Sequence, residues 1–239
     1  MKKGAITPAL MATLFAAACG EGGDPTTVEP VDSRAGVRFF SAMRAMPGPG
    51  GFTMNGQFVS GSAIGTNQAT GTCAKVSEGP TSFGFGVANA GGTGLSGGTL
   101  ATLNNQSIAA GGNYTVVVPG SGMHALLFLL DNKFSGSLGS NQAAVRFVNL
   151  APSATPFTVL SGTGSGSTTT VASNLALGAP TAFTTVTSGS NAYTVLNGQN
   201  TAISGSAGTL SLQAGSVNTI AIVPGTAQGS LELINIPRC

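Results

Sequence analysis

From Ala35 onward the apolar positions come in short runs, among them "VRFF", "FGFGV", "NYTVVV", "HALLFLL", "VRFVNL" and "TIAIV". Gly, Pro, Asn and Ser separate these runs, and no stretch past the N-terminal segment keeps helical spacing. Short runs of Val, Thr, Phe and Ile bounded by turn formers predict strands. "NYTVVV" and "NTIAIV" each lead into Pro-Gly, which opens a turn after a strand. The pattern predicts an all-β chain, with roughly seven short strands per hundred residues, as in an immunoglobulin-like β-sandwich. A single larger β-barrel is the alternative.

The pattern also repeats. "VRF" at Val37 recurs at Val145, 108 residues on, and "PTSFGFGV" at Pro80 is echoed by "PTAFTTV" at Pro180, 100 residues on. "NYTVVVPG" is answered by "NTIAIVPG", with Pro119 and Pro224 separated by 105 residues. "HALLFLLD" and "GSLELIN" follow these in turn. A period of this size matches a whole small domain and is too long for a solenoid repeat. It favours two tandem modules, residues 35–138 and 139–239, over one barrel.

The N-terminus reads as an export signal. Lys2 and Lys3 precede an apolar stretch to about Phe15, then Ala16, Ala17 and Ala18 lead to Cys19. That stretch is too short for a membrane-spanning helix. Residues 1–18 are expected to be a signal peptide, and 19–34 a lipidated cysteine with a flexible tether. Small residues before a cysteine resemble a bacterial lipobox. The departure is Ala16, where the lipobox usually has Leu. Ordinary cleavage after Ala18 is the alternative. The resemblance implies an exported outer-membrane lipoprotein, because Gly20 and not Asp follows Cys19.

Composition narrows the partners. Charged residues are only 7% of the 239-residue chain, so Ser, Thr, Asn, Gln and backbone must carry its solubility. Setting aside Lys2 and Lys3, 7 of the 9 basic residues remain, against 7 acidic ones. A neutral chain has no electrostatic footprint for nucleic acid. Disorder is disfavoured by 41% hydrophobic residues.

"AAVRFVNLAPSATPFTVL", with the strand "AGSVNTIAIVPG", is similar to the bacterial domain-of-unknown-function family numbered 4397. The resemblance covers nearly everything from Ala35 on and is closest in the second copy; "SAMRAMPGPGG" in the first copy departs from it. It implies a secreted or lipid-anchored protein with tandem modules. It implies no chemistry.

Catalysis needs converging ionisable groups. Past the tether the chain has one histidine, His124, and three carboxylates, Glu78, Asp131 and Glu232, none close in sequence. His124 beside "ALLFLL" reads as a strand residue, and no ligand spacing suggests a metal. "ANAGGTGLSGG" lacks the Gly-Lys-Ser/Thr of a phosphate loop. We therefore expect a non-enzyme without cofactor, in a structural or adhesive role, with self-association or a surface protein or glycan as partner. The alternative is a carbohydrate- or small-ligand-binding lipoprotein. Its aromatic candidates are Phe83, Phe85, Phe183 and Tyr193, for which core packing is the simpler role.

Val37 and Phe39 share a strand face, as do Val145 and Phe147, so Arg38 and Arg146 point the other way. Each arginine is expected on the outside of its strand, its stem covering apolar surface. A repeated carboxylate- or glycan-binding patch is the alternative, but no aromatic platform accompanies either arginine.

Three cysteines divide as one lipidated Cys19 and a pair, Cys73 and Cys239. In an oxidising compartment that pair is expected to form a disulfide. The bond would require modules packed side by side, or a last strand that crosses back.

Overall fold

The computed structural model describes residues 32–239, apart from residues 45, 60–62, 121–124, 154 and 163–166. The expected signal peptide, Cys19 and all but the end of the tether lie outside the described residues, and so does His124.

Every regular element among the described residues is a strand. The first half holds β1 (Ala35–Ser41), β2 (Gly50–Met54), β3 (Gln57–Phe58), β4 (Gln68–Ala69) and β5 (Ala74–Val76). It continues with β6 (Gly79–Val87), β7 (Ala101–Ile108), β8 (Asn113–Val118) and β9 (Phe128–Asp131). The second half holds β10 (Gln142–Asn149), β11 (Phe157–Ser161), β12 (Thr169–Leu175) and β13 (Thr184–Thr187). It ends with β14 (Gly189–Leu196), β15 (Gly208–Leu212), β16 (Val217–Pro224) and β17 (Leu231–Ile236).

These strands form four sheets, and the two halves share one topology. The order β4-β1-β8-β9, with β5 also on β1, is matched by β13-β10-β16-β17. The order β3-β2-β6-β7 is matched by β12-β11-β14-β15. In each half the opening strand runs parallel to the strand before the last, Phe39 opposite Val116 and Phe147 opposite Ile220.

Three of the four sequence echoes fall on matching strands. The fourth does not: Pro80–Val87 lies in β6, whereas Thr184 to Val186 lie in β13, the counterpart of β4 and β5. The true partner of β6 is β14, and each opens on a glycine with positive φ, Gly79 at 119° and Gly189 at 108°. Thr181 matches Thr70, because each hydroxyl accepts from the first strand, from Phe147 N at 3.0 Å and Phe39 N at 3.2 Å. Chance likeness in a Thr-rich composition produced the false echo.

Side-chain alternation explains the layering. Val37 and Phe39 of β1 join Phe52, Phe83, Phe85, Val116 and Val118 in one core. Val145 and Phe147 of β10 join Phe157, Val159, Tyr193, Val195, Ile220 and Ile222 in another. The opposite faces of the two central sheets meet each other: Phe40, Val117 and Leu130 pack with Val148, Leu150, Ala221, Val223 and Ile236. The central strands are therefore buried on both faces, which is why "VVV" and "IAIV" read as unbroken apolar runs. Ser33–Cys239 hold together as one unit.

Candidate functional site

Alternation places Arg38 with Phe40, and Arg146 with Val148, on the face that meets the other half. This corrects the expectation that both lie on the outside of their strands. Arg146 is only 4% exposed. The two arginines reach crosswise. Arg38, from the first half, donates through Nη2 to the Arg238 carbonyl of the second at 3.1 Å, and through Nη1 to Thr70 O at 2.6 Å. Arg146, from the second half, donates to Asp131 O and to Asn132 Oδ1 of the first, each at 2.6 Å. Its Nε donates to Thr219 Oγ1 on the neighbouring strand at 3.0 Å.

Asn132 joins the two ends. Fully buried, it donates to Asn113 Oδ1 at 2.8 Å and Thr115 Oγ1 at 2.9 Å, while its carbonyl accepts from Arg238 Nη2 at 2.6 Å. Neither Asn132 nor Arg238 stands out in sequence; what marks them is only their place, two residues past the matching positions Leu130 and Ile236.

The electrostatics are lopsided. The acceptors around Arg146 are all neutral, and Asp131 acts on it only through space. Burial pushes the Arg146 guanidinium down to about 10, with Asp131 opposing the shift and Arg238 adding to it. Burial lowers Arg238 as well. A buried guanidinium without a carboxylate partner is unusual, because the charge loses its hydration and recovers only dipolar contacts.

An aromatic platform does accompany one arginine. The Arg146 guanidinium carbon stands 4.6 Å from the centre of the Phe183 ring, within cation–π range. Phe134 meets Phe183 edge to face, with centroids 5.7 Å apart. Lys133, Phe134, Arg146, Thr181 and Phe183 line an open cavity of about 520 Å³. Of the four aromatic candidates, only Phe183 joins this cavity; Phe83, Phe85 and Tyr193 are buried in the cores.

Cys73 and Cys239 are bonded, with Cα atoms 5.8 Å apart. The bond sits on β1: a methyl group at Gly36 would come within 2.8 Å of Cys239 Cβ. The side-by-side arrangement that it required is supplied by the shared apolar layer. A second cavity, of about 570 Å³, lies between Arg44 of the first half and Phe157, Ile203 and Leu231 of the second. Glu78, Asp131 and Glu232 are all exposed, and among the described residues no group of three His, Cys, Asp or Glu side chains could hold a metal ion.

Fold and site together define an all-β protein of four sheets, its two halves braced by crossed arginines and closed by a disulfide. No family model and no curated protein matches the chain.

Proposed function

We propose that this chain is a non-enzymatic cell-envelope protein, exported by residues 1–18 and held at the outer membrane by a lipid on Cys19. Its role is structural or adhesive. Residues 35–138 and 139–239 act as two tandem β-sandwich modules, immunoglobulin-like in their two-layer build though with their own strand order. Because the inner faces are covered inside the molecule, an adhesive partner would use the outer sheets and their edges.

One edge carries this reading. β15 pairs with β14 in unbroken register from Gly189–Leu212 to Tyr193–Gly208, and its sequence, "GTLSL", has no charge and no proline. Its counterpart β7 is interrupted: the pairing with β6 shifts between Thr81 and Phe83, and Asn105 takes a positive φ of 53°. A bulge of this kind spoils an edge for pairing, whereas β15 presents a regular row of unpaired backbone groups. Strand addition there would join copies of the chain.

Light scattering coupled to size-exclusion chromatography, run across a wide concentration range, tests this. Association should rise with concentration and be lost in the Thr209→Lys, Ser211→Lys double variant. A monomer at every concentration overturns the adhesive reading.

A second reading, ligand binding, is favoured by the Phe134–Phe183 pair standing beside Arg146 at one cavity.

A further inference from the structure

The two arginine ends are topological counterparts, yet they are closed differently. Cys73 precedes Ala74, which lies opposite Val37; Phe183 precedes Thr184, which lies opposite Val145. Cys239 is three residues past Ile236, which faces Thr219; Lys133 is three residues past Leu130, which faces Thr115. By register, the disulfide at the Arg38 end therefore corresponds to the contact of Phe183 with the Lys133–Phe134 segment at the Arg146 end. One end is sealed by a covalent bond. The other is held by two rings and keeps a cavity of about 520 Å³.

That cavity borders a buried guanidinium whose direct hydrogen-bond acceptors are all neutral. Arg146 is 4% exposed and spends three of its N–H groups on neutral acceptors, and a guanidinium has about five to give. Lys133, exposed at the rim, adds a second cation. Asp131 is the one carboxylate acting on Arg146, and its Oδ1 already accepts from Lys133 N at 2.9 Å. An anion entering here would lie beside both cations, with the exposed Asp131 carboxylate as a nearby opposing charge. Charge-assisted hydrogen bonds of this kind are roughly twice as strong as neutral ones.

We propose that the cavity bounded by Lys133, Phe134, Arg146 and Phe183 binds a carboxylate carried on a sugar-like ring. The carboxylate lies against Lys133 and Arg146, and the ring's C–H face lies on Phe134. The proposal rests on the ligand-binding reading, not the adhesive one. It gives that reading a substrate class: uronic acids, free or at the end of a polysaccharide.

The test is titration calorimetry on the full chain with D-glucuronate, methyl β-D-glucoside and acetate, using the wild type, Lys133→Ala and Phe134→Ala. Arg146 is left intact because it braces the fold. Glucuronate should bind, and each substitution should weaken it about tenfold or more, a charge-assisted hydrogen bond or a ring-face contact being worth roughly that much. The glucoside and acetate should each bind at least tenfold more weakly than glucuronate. Glucoside binding as tight as glucuronate, sensitive to Phe134→Ala, overturns the carboxylate and leaves the ligand-binding reading standing. Acetate binding as tight as glucuronate overturns the ring. Glucuronate binding unchanged in both variants overturns the location. No binding by any of the three overturns both the proposal and the reading beneath it.

Discussion

Arg146 of the second half donates to Asn132 Oδ1 of the first at 2.6 Å, and Asn132 in turn accepts at its carbonyl from Arg238, two residues past the last strand of the second half. A single asparagine side chain and backbone thus tie the second repeat to the first at both ends of its sequence. The contact is buried, charge-assisted and crosses the boundary between repeats, so removing it exposes what holds the halves together.

Arg146→Ala should destabilise the protein by about 3 kcal/mol, since it strands Asn132 Oδ1, Asp131 O and the Thr219 hydroxyl in a buried place. Arg38→Ala should cost less, because Arg38 is half-buried and its acceptors lie closer to water. Chemical denaturation of the two variants side by side checks the order; equal losses would mean that burial at this interface is not what sets the cost.

The shared apolar layer makes a claim about cooperativity. Phe40 is 1% exposed and packs against the second half through Val148 and its neighbours. Phe40→Ala should lower stability by about 3–4 kcal/mol, the usual cost of emptying so large a core site. The wild type should unfold in one transition, with calorimetric and van't Hoff enthalpies equal. Two resolved transitions in the wild type would contradict a shared core.

Cys73 and Cys239 should give no free thiol in denatured, unreduced protein. Their bond closes a separation of 166 residues, and replacing both with serine should cost up to ~5 kcal/mol on the chain-entropy account. Gly36→Ala should also destabilise, because the added methyl meets Cys239 Cβ, which the disulfide prevents from moving. In the double-serine background that penalty should shrink. Melting temperatures of the four proteins check the cycle.

Tyr193 and Tyr114 sit at the cores of the two halves with opposite fates. Tyr114 Oη accepts from Ala109 N at 3.0 Å, whereas Tyr193 Oη is buried without a partner. Tyr193→Phe keeps the edge-to-face contact with Phe147, centroids 5.0 Å apart, and discards the orphaned hydroxyl. It should stabilise by about 1 kcal/mol. Burial raises the Tyr193 phenol, so the folded state holds its proton longer than the unfolded chain does. Wild-type stability from this group is intact below pH 10, the ordinary phenol value, and is lost as pH rises above it. The phenylalanine variant should lack that alkaline loss, and stability measured from neutral to alkaline pH checks it.

Period and punctuation determined much of this protein. Strands bounded by Gly, Pro and Asn specify an all-β chain. The recurrence of "VRF" and of the strand before Pro-Gly marks the two first strands and their parallel neighbours. The disulfide was legible by elimination, from cysteine number and the expectation of export. Unbroken runs such as "VVV" also carried a further signal: alternation is lost when both faces of a strand are covered, and here the second cover is the other half of the chain.

Tertiary structure alone decided where the arginines go. Alternation puts Arg38 and Arg146 opposite Phe39 and Phe147, but it cannot say whether that opposite face meets water or protein. The answer depends on a packing between segments about a hundred residues apart, which leaves no local pattern. The same holds for Asn132, Arg238 and Phe134, ordinary residues in sequence that acquire their roles only when the end of one half is laid against the first strand of the other. Short-range pattern follows from how each side chain meets its own backbone; the site follows from which faces remain to be covered after the strands have formed.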